Sequence, residues 1–376
     1  MRTDRSAIFV GSAPSTSAGF GDAHPLSIPR LATVMRLCAE LDWLGPGEFR
    51  ESPRATADEL AEFHCPEYIA ALRAADERGV ASIEVRERFA IGTRENPIFP
   101  GLFERASTSV GGSLLAAELA LEGRVAFHPA GGTHHGRAAR ASGFCYFNDP
   151  VFALRRLARA GLGRILYVDL DAHHGDGVQD AVGDDARMHT LSIHEEKRWP
   201  FSGAADDRAG GRARNFPVPR GFNDSELRHL MEHELLPYAE RLRPEAVVVT
   251  CGTDALADDP LSGLELSNGA LWDAVQALVE RAPVAVVLGG GGYNPWTVAR
   301  GWTGLWARLS GREIPPRLPE SARRVLEELS CELIDDEMID PSWTATLADA
   351  PREGPIREAI RNLRTDAAPL GGEVGR

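Results

Sequence analysis

The segment from residue 165 to residue 177 constrains the fold of this chain more than any other. It opens with four apolar residues at positions 165–168, as expected of a strand buried on both faces. Within the next eight residues, 169–176, come five ionisable side chains: Asp169, Asp171, His173, His174 and Asp176. Buried charges must be neutralised, and a divalent cation is the usual means. The segment therefore predicts a metal site at the end of a buried strand.

The spacing of these side chains allows several of them to coordinate one metal ion. Asp169, Asp171 and His173 are two residues apart, so in extended backbone their side chains point to the same side. Gly175 and Gly177 indicate a tight turn beneath the site. A solvated acidic loop is the alternative, but such a loop rarely follows an all-apolar strand with this much histidine.

Similar apolar runs recur along the chain and predict its fold class. Besides residues 165–168, apolar runs occur at residues 125–127, 246–250 and 284–288. Each run ends at a loop that is rich in glycine or polar residues. Helical composition and spacing occur between the runs, at residues 104–121, 150–160, 225–243 and 268–281. This alternation predicts a single doubly wound α/β domain with a mostly parallel central sheet flanked by helices. In such sheets ligands bind at the carboxyl ends of the strands.

The last part of the chain has a different composition. We assign residues 1–312 to the α/β domain and residues 313–376 to an extension packed on it or trailing from it. Short helices are expected at 321–329 and 355–363, disorder at 368–376, and an irregular loop at 204–214.

Charge and cysteine content limit the class of protein. The net charge of -14 and the pI of about 5.3 argue against general nucleic-acid binding and suit a cationic partner. The five cysteines are far apart and form no C-x-x-C pair, which fits a reducing compartment. The apolar stretch at residues 7–10 is too short for a signal peptide or a membrane span. We therefore expect a soluble, cytoplasmic protein with no membrane contact.

Four loops that follow the apolar runs carry the chemistry. The first holds His134 and His135 after a pair of glycines, and the second is the cluster described above. The third, residues 252–260, resembles a solvated acidic turn when taken by itself. In the fourth, four glycines precede Tyr293 and let the backbone pass close to another group.

Together the four loops fit a metal-assisted hydrolysis. Two carboxylates and an imidazole hold a metal with open positions, at which a bound water loses a proton near neutral pH. A histidine beside that water serves as base and then as acid, oriented by a carboxylate behind it. Tyr293 can donate to the oxyanion of the tetrahedral intermediate.

These motifs resemble the zinc-dependent histone deacetylase family, which has an arginase-like α/β fold. The resemblance extends in consistent order over residues 24–30, 129–149, 165–178, 252–260 and 289–303. It is closest to bacterial members that are similar to class I deacetylases and to acetoin-utilisation deacetylases.

The resemblance implies the ligands of two metal ions. Asp171, His173 and Asp259 correspond to the zinc ligands, and two carboxylates with one imidazole also suit iron(II). A structural potassium ion is implied beside this site, with ligands, some through backbone carbonyls, from Asp169, Asp171, His173, Ser192 and Ile193.

The resemblance also implies the catalytic residues. His135 corresponds to the general base and acid, with Asp176 behind it. His134 corresponds to a second, electrostatic histidine paired with Asp169, and Tyr293 to the residue that polarises the acetyl carbonyl.

An acyl-lysine tunnel is implied as well. Phe144 is expected to form one wall, Gly143 to lie against the substrate stem, and Trp199 or Phe201 to form the second wall. Arg30 corresponds to a buried arginine near the foot of the site.

Several positions depart from the family or bear on the substrate. Thr133 replaces a residue that is often bulky, and Glu95 replaces the aspartate that usually grips the substrate backbone. We expect Leu266 to stand where polyamine deacetylases carry a gatekeeping glutamate, although Glu265 is its neighbour.

Four functions remain open from the sequence. The first is a zinc-dependent deacetylase of Nε-acyl-lysine on peptides or proteins, and the second is an acetylpolyamine or other small-amide deacetylase of the same fold. A dimanganese ureohydrolase would need a second set of bridging aspartates that we do not find. A catalytically silent acyl-lysine binder would normally have lost a ligand, a histidine or the tyrosine. The oligomeric state is open, with the tail from Pro315 as a candidate interface.

Overall fold

A computed structural model describes residues 5–12, 20 and 24–364 of the chain. Its centre is an eight-stranded sheet in which every neighbouring pair of strands is parallel, in the order β2-β1-β3-β8-β7-β4-β5-β6. The strands are β1 (Ala7–Gly11), β2 (Phe49–Glu51), β3 (Val125–His128), β4 (Ile165–Asp169), β5 (Met188–Glu195), β6 (Ala213–Val218), β7 (Ala246–Thr250) and β8 (Val284–Leu288). The predicted α/β fold with a parallel sheet is confirmed.

Helices flank the sheet and fill the connections between its strands. They are α1 (Arg30–Glu40), α2 (Ala57–Leu60), α3 (Pro66–Arg78), α4 (Ile83–Phe89), α5 (Leu102–Leu121), α6 (Asp149–Arg159), α7 (Asp176–Val182), α8 (Asp224–Leu230), α9 (Leu236–Leu242), α10 (Asn268–Val279), α11 (Pro295–Leu309), α12 (Glu320–Glu327), α13 (Ser342–Ala345) and α14 (Glu358–Arg361). A π-helical turn, Met231–Leu235, joins α8 to α9. Of the described helices, none combines the length and the apolarity that crossing a bilayer would require.

The central strands are covered on both faces, which explains their continuous apolar sequence. In β4, Leu166 and Val168 belong to the core shared with α1, α10 and α11, while Ile165 and Tyr167 belong to the core shared with α5 and α6. Alternate residues of one strand thus enter opposite layers, and each layer needs an apolar side chain.

Four predicted strands, β3, β8, β7 and β4, are neighbours in the sheet. The loops that follow them therefore emerge side by side at its carboxyl edge. The strands β1, β2, β5 and β6 were not predicted. For β5 and β6 the reason is that buried polar residues, among them Ser192, His194 and Asn215, interrupt the apolar pattern.

Residues of the C-terminal extension up to 364 pack on the helical layer beside α11. Trp343 faces Trp296 with ring centroids 5.7 Å apart, and the Trp296 indole donates to the carbonyl of Leu326 (3.0 Å). Arg357 forms an ion pair with buried Glu226 (2.5 Å). The helices predicted at 321–329 and 355–363 correspond to α12 and to the shorter α14, and the predicted disorder at 368–376 lies outside the described residues.

Candidate active site

A three-residue cluster with the chemistry of a metal site lies between the carboxyl ends of β4 and β7. It consists of Asp171, His173 and Asp254, which are all buried and whose ligand atoms lie within 4.8 Å of one another. Asp171 and His173 follow β4, and Asp254 lies in the turn directly after β7. His173 Nδ1 is 2.9 Å from Asp254 Oδ2.

Asp259, the third ligand that the resemblance implies, adjoins this cluster. Burial and the nearby Asp254 raise the pKa of Asp259 to about 7. Its carboxylate accepts the backbone N–H groups of Leu261 (2.9 Å) and Tyr293 (2.8 Å). Each oxygen keeps a further lone pair after accepting one N–H group, so Asp259 can still bind a metal.

The electrostatics of the cluster favour a bound cation. Burial and the facing Asp171 raise the pKa of Asp254 to about 6. Burial also opposes ionisation of Asp171, but His134, His173 and the Gly291 N–H outweigh it and lower the pKa of Asp171. Two buried carboxylates at this separation repel each other, and a divalent cation relieves that repulsion.

The glycine run after β8 lies against these carboxylates. The Gly291 N–H donates to Asp171 Oδ2 at 2.6 Å. A Cβ atom on Gly290 would lie 2.7 Å from the same oxygen, and one on Gly291 would overlap the Asp254 carboxylate. These positions require glycine because the backbone passes directly over the cluster and leaves no space for a Cβ atom.

Beside the cluster, His134 is paired with Asp169 as predicted from the sequence. His134 Nδ1 is 2.7 Å from Asp169 Oδ2, which also accepts the Tyr167 hydroxyl (2.7 Å). Burial disfavours a charged ring, yet Asp169 and Asp171 outweigh it and raise the pKa of His134 to about 9. His134 is therefore the cationic member of the histidine pair.

His135 has the opposite protonation preference. Its Nδ1 is 2.8 Å from Asp176 Oδ1, and Arg137 bonds the other oxygen of that carboxylate. Burial and the neighbouring His134 lower the pKa of His135 to about 3, although Asp176 acts to raise it. A neutral, oriented imidazole with a free Nε2 is suited to accept a proton.

Tyr293 completes the group of polar side chains. It is buried, its ring centroid is 6.4 Å from that of His173 and 6.0 Å from that of Phe144, and burial raises its pKa well above the usual value. The phenol therefore stays neutral and can donate a hydrogen bond.

A cavity of about 560 Å³ leads from the surface to these side chains. Its lining includes Glu95, His135, Gly143, Phe144, His173, Trp199, Phe201, Leu261 and Tyr293. The sequence left two candidates for the second aromatic wall. The Trp199 ring lies 4.5 Å from that of His135, whereas Phe201 is 76% exposed at the mouth.

One wall of the cavity includes Leu261. Leu266, which the resemblance places near the substrate, is buried in the adjoining hydrophobic core. Glu265 is likewise not part of the lining, and its backbone N–H bonds the carbonyl of Phe222 (2.9 Å).

The remaining predicted residues lie behind the site. Arg30 donates to the carbonyl of Gly290 (2.7 Å), and Thr133 donates to the carbonyl of Phe147 (2.6 Å). Of the implied potassium ligands, Ser192 on β5 is paired in register with Asp169 on β4, and Ile193 follows Ser192.

Asp254 and Leu261 are the site residues that sequence reasoning missed. The signal for Asp254 was its position directly after a predicted strand, since side chains in that position reach the centre of the sheet edge. Leu261 gave no comparable signal, because nothing in its sequence surroundings separates it from other leucines.

This arrangement agrees with the comparison to known proteins. The chain matches the family model of the histone deacetylase domain over residues 24–309, and it belongs to the histone deacetylase family. It is 31% identical to acetoin utilization protein AcuC of Bacillus subtilis (strain 168) over 332 residues, which cover 83% of this chain and 85% of that protein. It is 34% identical to histone deacetylase 8 of Xenopus laevis over 274 residues, 71% of this chain and 84% of that one.

Solved structures show the same likeness. The crystal structure of an HDAC homologue from Aquifex aeolicus matches with a TM-score of 0.91 and 36% identity, over 96% of this chain and 98% of that chain. A structure of an HDAC homologue complexed with SAHA matches with the same values.

Proposed function

We propose that this protein is a zinc-dependent deacetylase that hydrolyses the amide of Nε-acetyl-lysine or a closely related acyl-lysine. The observation that carries the proposal is the buried cluster of Asp171, His173 and Asp254, with Asp259 beside it, next to a cavity lined by His135, His173 and Tyr293. The names of its relatives, among them histone deacetylases, support the same activity.

The residues present fit a divalent metal, and we propose Asp171, His173 and Asp259 as its ligands, with Asp254 beside them. Two carboxylates and one imidazole leave coordination positions open, which is typical of catalytic sites, and iron(II) would suit the same donors as zinc. When bound, the metal would supply a water of lowered pKa and polarise the substrate carbonyl. For a structural potassium ion we propose Asp169, Asp171, His173, Ser192 and Ile193.

The protein residues divide the proton transfers between them. Neutral His135 accepts the proton of the attacking water and returns it to the leaving amine, while Asp176 keeps its ring oriented. Cationic His134 stabilises the negative charge that develops nearby. The Tyr293 hydroxyl donates to the oxyanion of the tetrahedral intermediate.

The cavity suits an unbranched alkyl stem that ends in an amide. Phe144 and Trp199 provide aromatic surface for such a stem, with Gly143 between them. Glu95 in the cavity lining favours a substrate with positive or N–H donor groups, whereas Glu196 in the same lining is paired with Lys197 (3.5 Å). That a similar protein has been solved in complex with SAHA supports a ligand-binding role for this protein.

Lysine is favoured over polyamine by the wall residues. Leu261 is part of the cavity lining and Glu265 is not, which argues against Glu265 as a gating carboxylate. The five free cysteines fit the reducing cytoplasm, which we propose as the compartment.

The experiment that tests this function compares two substrates with enzyme carrying one zinc per chain. Acetate release is measured from an acetyl-lysine peptide and from an acetylated polyamine. The proposal expects the peptide to react faster and Tyr293→Phe to lower kcat by about a hundredfold while zinc stays bound. Faster release from the polyamine would move the substrate to small amines, and no release from either would contradict a deacetylase.

A further inference from the structure

One side chain in the cavity lining is chemically unlike every other basic side chain of the sequence. The 376 residues include 41 lysines and arginines, and Lys197 is the only lysine among them. It belongs to the lining of the cavity that we propose to bind acyl-lysine, two residues before the Trp199 wall. The one side-chain amine that could carry an acyl group therefore lies beside the site proposed to remove such groups.

The backbone presents this amine to solvent. Lys197 has φ of +57°, in the left-handed region that disfavours residues with a Cβ atom, and its side chain is 85% exposed. The residues on either side are anchored, because the Glu196 N–H donates to the carbonyl of Val218 (2.8 Å) and Arg198 donates to the carbonyl of Leu261 (2.8 Å). Packing in the core thus does not explain a lysine at this position.

The surroundings of the amine suit its acylation. An arginine guanidinium stays protonated in proteins, whereas a lysine amine can lose its proton and be acetylated. Lys197 Nζ lies 3.5 Å from Glu196 Oε1, and this carboxylate can accept a proton that the amine gives up. With an acyl phosphate as donor, the nitrogen bonds to the acyl carbon, the bond from that carbon to the phosphate oxygen breaks, and inorganic phosphate leaves.

The position of Lys197 favours a second copy of the chain as the enzyme that removes the group. Lys197 and Trp199 belong to one short anchored loop, and the exposed side chain of Lys197 extends away from the tunnel that Trp199 lines. Since Lys197 and the tunnel share one face of the molecule, two copies that meet face to face about a twofold axis bring each Lys197 to the tunnel of the other copy.

We propose that Lys197 is a site of reversible Nε-acetylation and that a second copy of this enzyme removes the acetyl group. The inference rests on the proposed function, because removal uses the site that contains His135 and Tyr293. In that step water adds to the amide carbon and the bond from this carbon to Nε breaks. Acetate leaves, and His135 returns a proton to the amine.

Intact-protein mass spectrometry tests the modification. Acetyl phosphate is added to zinc-loaded Tyr293→Phe enzyme, in which removal is slowed. We expect it to gain one acetyl group more per chain than a matched protein that also carries Lys197→Arg. The arginine keeps the positive charge, and the matched protein keeps the N-terminal amine, so the difference reports Lys197 alone.

A catalytic amount of wild-type zinc enzyme, added to the acetylated Tyr293→Phe protein, tests removal by a second copy. The acetyl group should be lost at a rate proportional to the wild-type concentration. This rate should be at least about tenfold higher than without wild-type enzyme, because the Tyr293→Phe protein lacks the proposed oxyanion donor. Metal-free wild-type enzyme should leave the group in place.

A position control moves the single lysine away from the cavity. Arg243 is exposed and has φ of +51°, like Lys197, but it lies after α9 at the amino edge of the sheet, opposite the site. The control protein combines Lys197→Arg and Arg243→Lys with Tyr293→Phe. Acetyl phosphate should acetylate it, but wild-type enzyme should remove this group at least about tenfold more slowly than from Lys197, because a face-to-face encounter does not bring it to a tunnel.

Three results would overturn the proposal. They are a mass gain that Lys197→Arg does not reduce, an acetyl group on Lys197 that active wild-type enzyme does not remove, and equal removal from positions 197 and 243. If Tyr293→Phe does not fold, metal-free wild-type enzyme is acetylated instead, and added zinc starts a removal whose rate must rise with protein concentration. A wild-type enzyme inactive on the acetyl-lysine peptide would refute the proposed function, while the mass gain would still decide whether Lys197 is modified.

Discussion

Two aspartates on the loop after β7, Asp254 and Asp259, have different surroundings although they are only five residues apart. Asp254 faces Asp171 and His173, and its carboxylate is one of three side chains that converge on a point. Asp259 lies close enough to Asp254 for that carboxylate, together with burial, to raise the pKa of Asp259 to about 7. Its oxygens accept two backbone N–H groups and keep further lone pairs, so it can be oriented by the backbone and still bind a metal.

The first prediction tests the assignment of Asp259 by metal content. Asp259→Ala should reduce bound zinc from one per chain to well below one, because the remaining two ligands hold the ion weakly. Asp258→Ala, at the exposed neighbouring carboxylate, should keep its zinc. Elemental analysis of the purified variants measures both, and full zinc content in Asp259→Ala would contradict its assignment as a ligand.

The second prediction concerns the width of the tunnel at Gly143. A Cβ atom there would overlap the Trp199 ring and lie 2.6 Å from His135 Cδ2, and the residue has φ of +55°. Gly143→Ala should therefore lower kcat/KM for the acetyl-lysine peptide by at least about tenfold.

Gly79→Ala is the control for backbone strain in this experiment. Gly79 has φ of +69°, but a Cβ atom there meets nothing within 4 Å. The control variant should lose a little stability and keep its kcat/KM. Equal activity of the two variants would mean that the Gly143 side of the tunnel does not contact substrate.

At the scale of secondary-structure elements, the C-terminal extension forms part of the core around α11. Leu347 and Ile360 are fully buried, and Trp343, in α13, is 6% exposed against Trp296 of α11. Arg300 of α11 donates to the carbonyl of Thr346 (2.8 Å). Because α11 begins two residues after Tyr293, the extension supports the helix on which the site depends.

The third prediction tests this support. Trp343→Ala should lower the free energy of unfolding by about 3–5 kcal/mol, because it leaves a large cavity beside Trp296. Met338→Ala, in the same extension but at a side chain 68% exposed, should change it by less than about 0.5 kcal/mol. Urea unfolding at pH 7 measures the free energy of unfolding of both variants. A Trp343→Ala protein as stable as the wild type would show that the extension contributes nothing to the hydrophobic core.

At the scale of the whole molecule, buried histidines connect stability to pH. His64 is buried away from the proposed metal site, its Nδ1 faces the carbonyl of Arg137 (3.0 Å), and its Nε2 accepts the N–H of Asn148 (3.1 Å). Burial lowers the pKa of His64 to about 3, from a value near 6.5 in the unfolded chain. The fold thus requires the neutral ring.

The fourth prediction follows from the sign of this shift. Between pH 6.5 and pH 3 the unfolded state binds the proton and the folded state does not, so stability is complete above pH 6.5 and falls with pH below it. His64 should account for about 2 kcal/mol of lost stability between pH 7 and pH 5. In thermal unfolding, His64→Gln should show a flatter decline of Tm over this range than the wild type. The exposed His233→Gln should keep the wild-type slope, and an unchanged slope in His64→Gln would refute the prediction.

The sequence by itself determined the fold class and most of the site. Strands that are covered on both faces must be apolar throughout. This allowed four of them to be predicted from the sequence: β3, β4, β7 and β8. Residues that directly follow those strands, such as His135 and Asp171, could be assigned because the carboxyl edge of a parallel sheet brings strand ends together whatever the loops do.

Only the tertiary structure showed how the residues of one loop are placed. Asp254 and Asp259 have the same chemistry, as do Leu261 and Leu266, and the surroundings of each depend on how the chain turns after β7. Those turns are fixed by long-range contacts, such as the bond from the Tyr293 N–H to Asp259, which joins residues 34 apart. Such contacts cannot be predicted from the local sequence, because the conformation of a loop depends on the sheet edge and the neighbouring loops against which it packs.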